Sequence, residues 1–308
     1  MNPGAWPSTL FTNPPGWHWL IIGYFFVGGL AGGCFFLAAL IDLLGRPTDR
    51  PLARIGYYVA FPAVVLSAIF LTFDLGRPLR FWHMLIESHA GRPMFKTYSP
   101  MSLGSWALLM FGLFAFLAFL GALADTERGR RWPSLRRLRP PAFVGRFVAI
   151  VGGLLGFFVA GYTGVLLTVT NRPIWSDTTL LGLNFLVSAA STSAALLALL
   201  GRRRWGASAG LEALERFDAW ILILEFVALL GLMLSLGSML HAWLNAWGAL
   251  LAVGVIVLGI LAPLVLYWRP RLIAGGLSTA VAAVLVLIGG FIFRVVVVLS
   301  SEGIGRPM

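Results

Sequence analysis

The chain has 308 residues, of which 59% are hydrophobic and 11% charged. A mean hydropathy of +0.88 is more than a soluble domain can bury, so the sequence reads as an integral membrane protein. Its net charge of +11 would indicate nucleic acid for a soluble protein, but the arginines sit in short connections between apolar runs. Topology and lipid headgroups account for them there, and no nucleic-acid role is expected.

Eight apolar runs follow one another, at 17–44, 54–73, 101–124, 143–168, 178–200, 217–240, 247–266 and 272–299. Each is near the ~20 residues that a helix needs to cross a bilayer. None alternates polar and apolar residues as a barrel strand does. The predicted fold is therefore an all-α, eight-helix transmembrane bundle, a single domain over 1–308 divisible into four-helix halves at 1–168 and 178–299. The first sixteen residues hold no Lys or Arg, and the first run is too long for a cleavable signal peptide. Small residues in "VGGLAGGCFF" (27–36) and "VSAASTSAALLALL" (187–200) suit close helix packing in lipid.

Connections 1–2, 3–4, 5–6 and 7–8 carry fourteen arginines, while the opposite side carries six Lys and Arg. The positive-inside rule then places both termini on the outer face. The arginine-rich connector "RGRRWPSLRRLRP" (128–140) reads as topology and lipid contact alone.

In chain order, the first polar candidate is His18 in "PPGWHWLIIGYFF", where an interfacial imidazole either binds a ligand headgroup and moves protons or belongs to an aromatic belt. After the second run comes "FDLGRPLRFWHML" (73–85), with Asp74, Arg77 and Arg80. The outer loop 74–100 holds four of the six outer positive charges, against the topological trend. Asp74 and Arg77 could pair across a turn broken by Gly76 and Pro78. The segment reads as a rigid cap, a dock for an extramembrane protein, or the rim of a headgroup pocket.

Tyr162 in "VAGYTGVLLTVT" lies six residues from Thr168, about 9 Å into the membrane, so its phenol needs a ligand or a backbone carbonyl as partner. Glu225 is the carboxylate well inside a run, eight residues or about 12 Å from Phe217. Asp218 lies seven residues earlier on the same helical face. An intramembrane acid is a functional candidate by default, here either a proton route or a neutral packing acid. The single cysteine, Cys34, excludes disulfide frameworks, cysteine-ligated zinc and iron–sulfur clusters held by this chain alone. None of the histidines, His18, His83, His89 and His241, is in mid-span, so no haem and no metal is expected.

Taken in order, "GWHWLIIGYFFVGGLAGG", "FDLGRP", "GYTGVLL" and "NRPIWSD" resemble the polysulfide reductase membrane subunit family, also called NrfD-like, over nearly the whole length. The resemblance implies a haem-free, quinone-reactive anchor in the bacterial inner membrane, not catalytic alone. Its partners would be a ferredoxin-like iron–sulfur subunit and a molybdopterin or multihaem catalytic subunit. By that likeness His18, Tyr162 and Asp74 would contact a menaquinone or ubiquinone headgroup near the outer face. Arg77 and Arg80, with Arg172 of "NRPIWSD", would serve partner docking. Asp218 and Glu225 rest on the physical argument alone. Two other readings stand beside this one. A secondary transporter would have its acid at mid-membrane, and a structural anchor would bind no quinone.

Overall fold

A computed structural model describes residues 15–87, 91–124, 126, 133–205, 209–273 and 277–304. Eight of its helices are long and apolar enough to span a membrane: α1 (Trp19–Leu44), α2 (Arg50–Asp74), α3 (Pro100–Ala124), α4 (Phe143–Thr168), α5 (Leu181–Trp205), α6 (Ala209–Ser235), α7 (Ala246–Trp268) and α8 (Ser278–Glu302). Among the described residues the remaining structure is 3₁₀ turns and one isolated bridge, Ile86 with Pro93.

Helices α1, α5 and α8 are innermost, with 72%, 67% and 61% of their apolar windows buried against 33–44% for the others. Helices α1 to α4 pack as a ring, and α5 to α8 pack in the same cyclic order. The two rings meet where α1 and α4 lie on α5, with α8 also against α1. Glycines set the closest crossings. A Cβ on Gly32 would collide with the carbonyl of Gly156, so α1 and α4 touch backbone to backbone. A Cβ on Gly259 would stand 2.7 Å from Gly289 Cα, so α7 and α8 meet in the same way. Part of α7, Leu251–Leu261, winds as a π-helix just ahead of Pro263, which has no amide to donate.

The polypeptide returns to the face where it began. The amide of Trp17 donates to Glu302 Oε1 at 3.0 Å, joining the two ends of the described chain. We call this the proximal face. It carries the connections 75–99, 169–180 and 236–245.

Three expectations need correction. Helix α6 starts at Ala209, not 217, and stops at Ser235, not 240. Its first turns, "AGLEALER", are good helix formers whose Leu211 and Leu214 are buried, so an amphipathic start precedes the apolar run. Glu225 is thus sixteen residues, or about 24 Å, from the helix start. Arg139 is no plain connector charge. It is 5% exposed and forks onto the buried Asp42 of α1, with Nη2 at 2.7 Å from Oδ1 and 2.8 Å from Oδ2. Asp74 and Arg77 do not pair either. Gly76 takes φ +64° and turns the chain, leaving Arg77 exposed while Asp74 stays at the end of α2.

Candidate functional site

A cavity of about 550 Å³ lies within the first ring at the proximal face. Its long walls are α2, from Phe61 to Asp74, and α3, from Met101 to Leu113. At 1.5 Å per residue those walls run about 20 Å and about 18 Å along the helices. Helix α1 contributes Ile21, Tyr24 and Phe25, and α4 contributes Tyr162 and Leu166. Val65, Leu109 and Leu113 on the walls are also 42–48% exposed, so the lower part opens sideways between α2 and α3 toward lipid. The shape is a long apolar slot with its polar groups near one end.

The segment 73–85 roofs that end. After the turn at Gly76, a 3₁₀ helix, Pro78–Met84, brings Phe81, Met84 and Leu85 over the cavity. The roof is fastened to α3. Leu85 O accepts from the Met94 amide at 2.8 Å, and Met94 O accepts from the Trp106 indole at 3.0 Å. Arg77 and Arg80 stand exposed on top.

The structure brings three sequence candidates to this cavity. Asp74 and Tyr162 line it. His18 is exposed beside the mouth, within electrostatic reach of Asp74, and next to the cavity-lining Trp17. The Tyr162 hydroxyl donates to the carbonyl of Pro100 at the start of α3, and its ring lies where a Cβ on Gly104 would be. The hydrogen of that phenol is therefore used within the protein, while its oxygen can still accept.

Arg172 lies apart from these groups. It is fully buried and donates to the carbonyls of Ser301 and, at 2.8 Å, Ile304. Burial pulls its guanidinium below the ordinary arginine pKa, and the nearby Glu302 carboxylate opposes the shift. Pro173, Ile174 and Trp175 of "NRPIWSD" are buried with it, while Asn171, Ser176 and Asp177 are exposed. Trp175 donates to Val297 O at 2.8 Å and stacks on Trp17, while Ile174 holds φ 72°, strained for a β-branched residue. The loop clamps the proximal end of α8.

Asp218 and Glu225 belong to a polar column in the second ring. Asp218 is fully buried and accepts from Ser191 Oγ and Tyr267 OH, both at 2.8 Å. One turn further along α5, Ser188 accepts from Arg294 Nη1 at 2.8 Å and lies within reach of Glu225. Arg294, 1% exposed, also donates to Gly290 O at 2.7 Å and sits over the rings of Phe26 and Phe185. At the other end, Tyr267 lines a second cavity of about 510 Å³ with Glu212, Glu215 and Arg216.

The sequence reading missed Tyr24, Arg294 and Tyr267. Arg294 lies eight residues from Glu302, and Glu225 lies ten from Ser235, so the two opposite charges share a depth of about 12–15 Å, a match that shows only once the helix ends are known. Tyr24 and Tyr267 carried no signal, since a tyrosine in an apolar helix looks the same whether it faces a cavity or a neighbour. Among the described residues no group of three or more His, Cys, Asp or Glu could hold a metal ion. His89 lies outside the described residues.

The family described as "Polysulphide reductase, NrfD" matches residues 9–303. The C polypeptide of polysulfide reductase from Wolinella succinogenes is 30% identical over 280 residues, 85% of this chain and 86% of that one. Protein NrfD of Escherichia coli is 28% identical over 203 residues, 61% of each chain. The C polypeptide of selenate reductase from Mesobacillus selenatarsenatis is 24% identical over 106 residues, 34% of this chain and 22% of that one. With a family match across almost its full length and eight membrane-spanning helices, the chain belongs to the NrfD polysulphide reductase family as a multi-pass membrane protein.

Proposed function

We propose that this chain is the quinone-reactive membrane anchor of a respiratory oxidoreductase complex in the bacterial inner membrane. The observation that carries the reading is the slot between α2 and α3. It is apolar along about 20 Å, open to lipid at its side, and lined by Asp74 and Tyr162 with His18 at its mouth. A prenylated quinone has that form, a polar ring on a long apolar tail. The relatives' names, reductase subunits for polysulfide and selenate, support a partner that carries the terminal chemistry. That partner includes an iron–sulfur subunit, docked over the roof at the exposed Arg77 and Arg80, with a molybdopterin or multihaem catalytic subunit beyond it.

A bound quinone supplies two-electron, two-proton redox chemistry. His18 and Asp74 are the two acid–base groups at the mouth, near enough for the imidazole to act electrostatically on the carboxylate, and they exchange protons with the headgroup. Tyr162 offers its oxygen as an acceptor to a quinol hydroxyl, while Pro100 fixes the ring. The apolar walls and the Phe81–Leu85 roof keep bulk water from the headgroup.

In the intact complex, His18→Phe and Asp74→Asn should each lower quinone-linked turnover about a hundredfold, the scale of lost acid–base help. Dye-linked turnover of the catalytic partner and the subunit ratio should stay unchanged. Unaltered quinone turnover in both variants rejects the site.

The polar column adds a proton route to the proposal, from the cavity at Tyr267 through Asp218 and Ser191 to Ser188, Glu225 and Arg294. Its support is the buried acids Asp218 and Glu225, about 13.5 Å and about 24 Å along α6, with Ser191 bonded to the first and Ser188 within reach of the second. Glu225→Gln should lower the charge moved per electron in proteoliposomes carrying the complex. Undiminished charge movement at full activity excludes the route.

A further inference from the structure

We infer that Tyr24 is a further headgroup-binding residue, whose hydroxyl donates a hydrogen bond to a quinone carbonyl at the deep end of the polar part of the slot. The inference rests on the quinone reading above and names a contact that reading does not contain.

Elimination among the hydroxyls of the cavity carries the argument. Thr72 donates to Ala68 O at 2.7 Å, Ser105 donates to Met101 O at 2.9 Å, and Tyr162 donates to Pro100 O. Each of these hydrogens is used inside the protein. Tyr24 also lines the cavity and its side chain is 4% exposed, yet its hydroxyl has no hydrogen-bond partner among the described residues. Nor is it one of the polar atoms sealed in the core without a partner. It therefore retains a free hydrogen at the cavity surface. A buried hydroxyl without a partner is costly, and a bound acceptor removes that cost.

Position and rigidity agree with such a role. Tyr24 is five residues below Trp19 on α1, and Tyr162 is six residues from the end of α4. Both phenols thus lie about 7.5–9 Å below the proximal helix ends, below the mouth formed by His18 and Asp74. The Tyr24 ring is held against Phe25, with centroids 5.4 Å apart, and over Gly28, where a Cβ would lie 3.5 Å from its edge. Among the described residues Tyr24 is the cavity hydroxyl whose hydrogen is unused, and its ring is already oriented, which lowers the ordering cost of binding. Tyr24 then fixes the depth of the headgroup, and Tyr162 beside it accepts from the reduced form.

The test uses the purified complex, a quinone labelled with ¹³C at its carbonyls, and infrared difference spectroscopy beside a binding titration. Wild-type complex should show two inequivalent bound carbonyl bands. In Tyr24→Phe, one band should move toward the free-quinone frequency and Kd should rise about three- to tenfold, the weight of one neutral hydrogen bond. Tyr57→Phe, which alters a buried phenol outside the cavity, should change neither. Saturable wild-type binding with equivalent carbonyls, or a Tyr24→Phe complex identical to wild type, overturns the Tyr24 contact and leaves the quinone reading standing. A wild-type complex without saturable quinone binding overturns both.

Discussion

Asp42 and Arg139 illustrate why single residues in this protein are hard to weigh one at a time. Arg139 ends an arginine-rich connector and Asp42 ends an apolar run, and each alone reads as an interfacial charge. They are 97 positions apart, and the fold puts them into one buried, forked ion pair. Breaking such a pair from one side leaves the other charge stranded, at a cost of about 3–5 kcal/mol. Asp42→Asn should therefore lower the melting temperature of the detergent-purified protein by several degrees, and adding Arg139→Met should recover part of the loss. An Asp42→Asn protein that melts with wild type would contradict the pairing. Arg294 makes the same point from the other direction. An isolated Glu225 in an apolar run draws notice, whereas its basic counterpart in α8 gains meaning only when both depths are compared.

At the scale of elements, the eight helices were legible because crossing a bilayer fixes a length that composition reveals directly. Helix ends were less so. The start of α6 hid in a charged stretch because "AGLEALER" packs Leu211 and Leu214 on one face and leaves Glu212 exposed, a pattern that average hydropathy misses. The segment 73–85 reads as a cap, a partner dock or the rim of a headgroup pocket, and its arginines stand exposed. Its use of Phe81, Met84 and Leu85 as a roof was not legible, because the cavity beneath them is made by four helices distant in sequence. Likewise "NRPIWSD" stood out as a motif, but its inward direction depends on the carbonyls of Ser301 and Ile304, more than a hundred positions away. His18, Asp74 and Tyr162 could be singled out because polar groups in an apolar sequence are rare. Tyr24 could not, because its distinction is the absence of a partner.

At the scale of the molecule, the two rings divide the polar chemistry. The first holds a slot open to lipid with Asp74 and Tyr162 near its proximal end, and the second holds the column from Tyr267 to Arg294. They touch along α1 and α5, where Arg294 sits over Phe185, and Phe185 meets the cavity-lining Phe25 edge to face at 5.8 Å. The proposed quinone would thus enter the first ring from the membrane, while polar groups fill the second. The most direct measurement is photolabelling of the intact complex in native membranes with a quinone carrying a photoreactive tail, followed by peptide mapping. Quinone binding in the slot predicts labels on its walls, on α2 between Phe61 and Leu71 and on α3 between Leu108 and Leu113, abolished by excess unlabelled quinone. Labels that native quinone does not displace, or displaceable labels confined to α6 and α7, would contradict it.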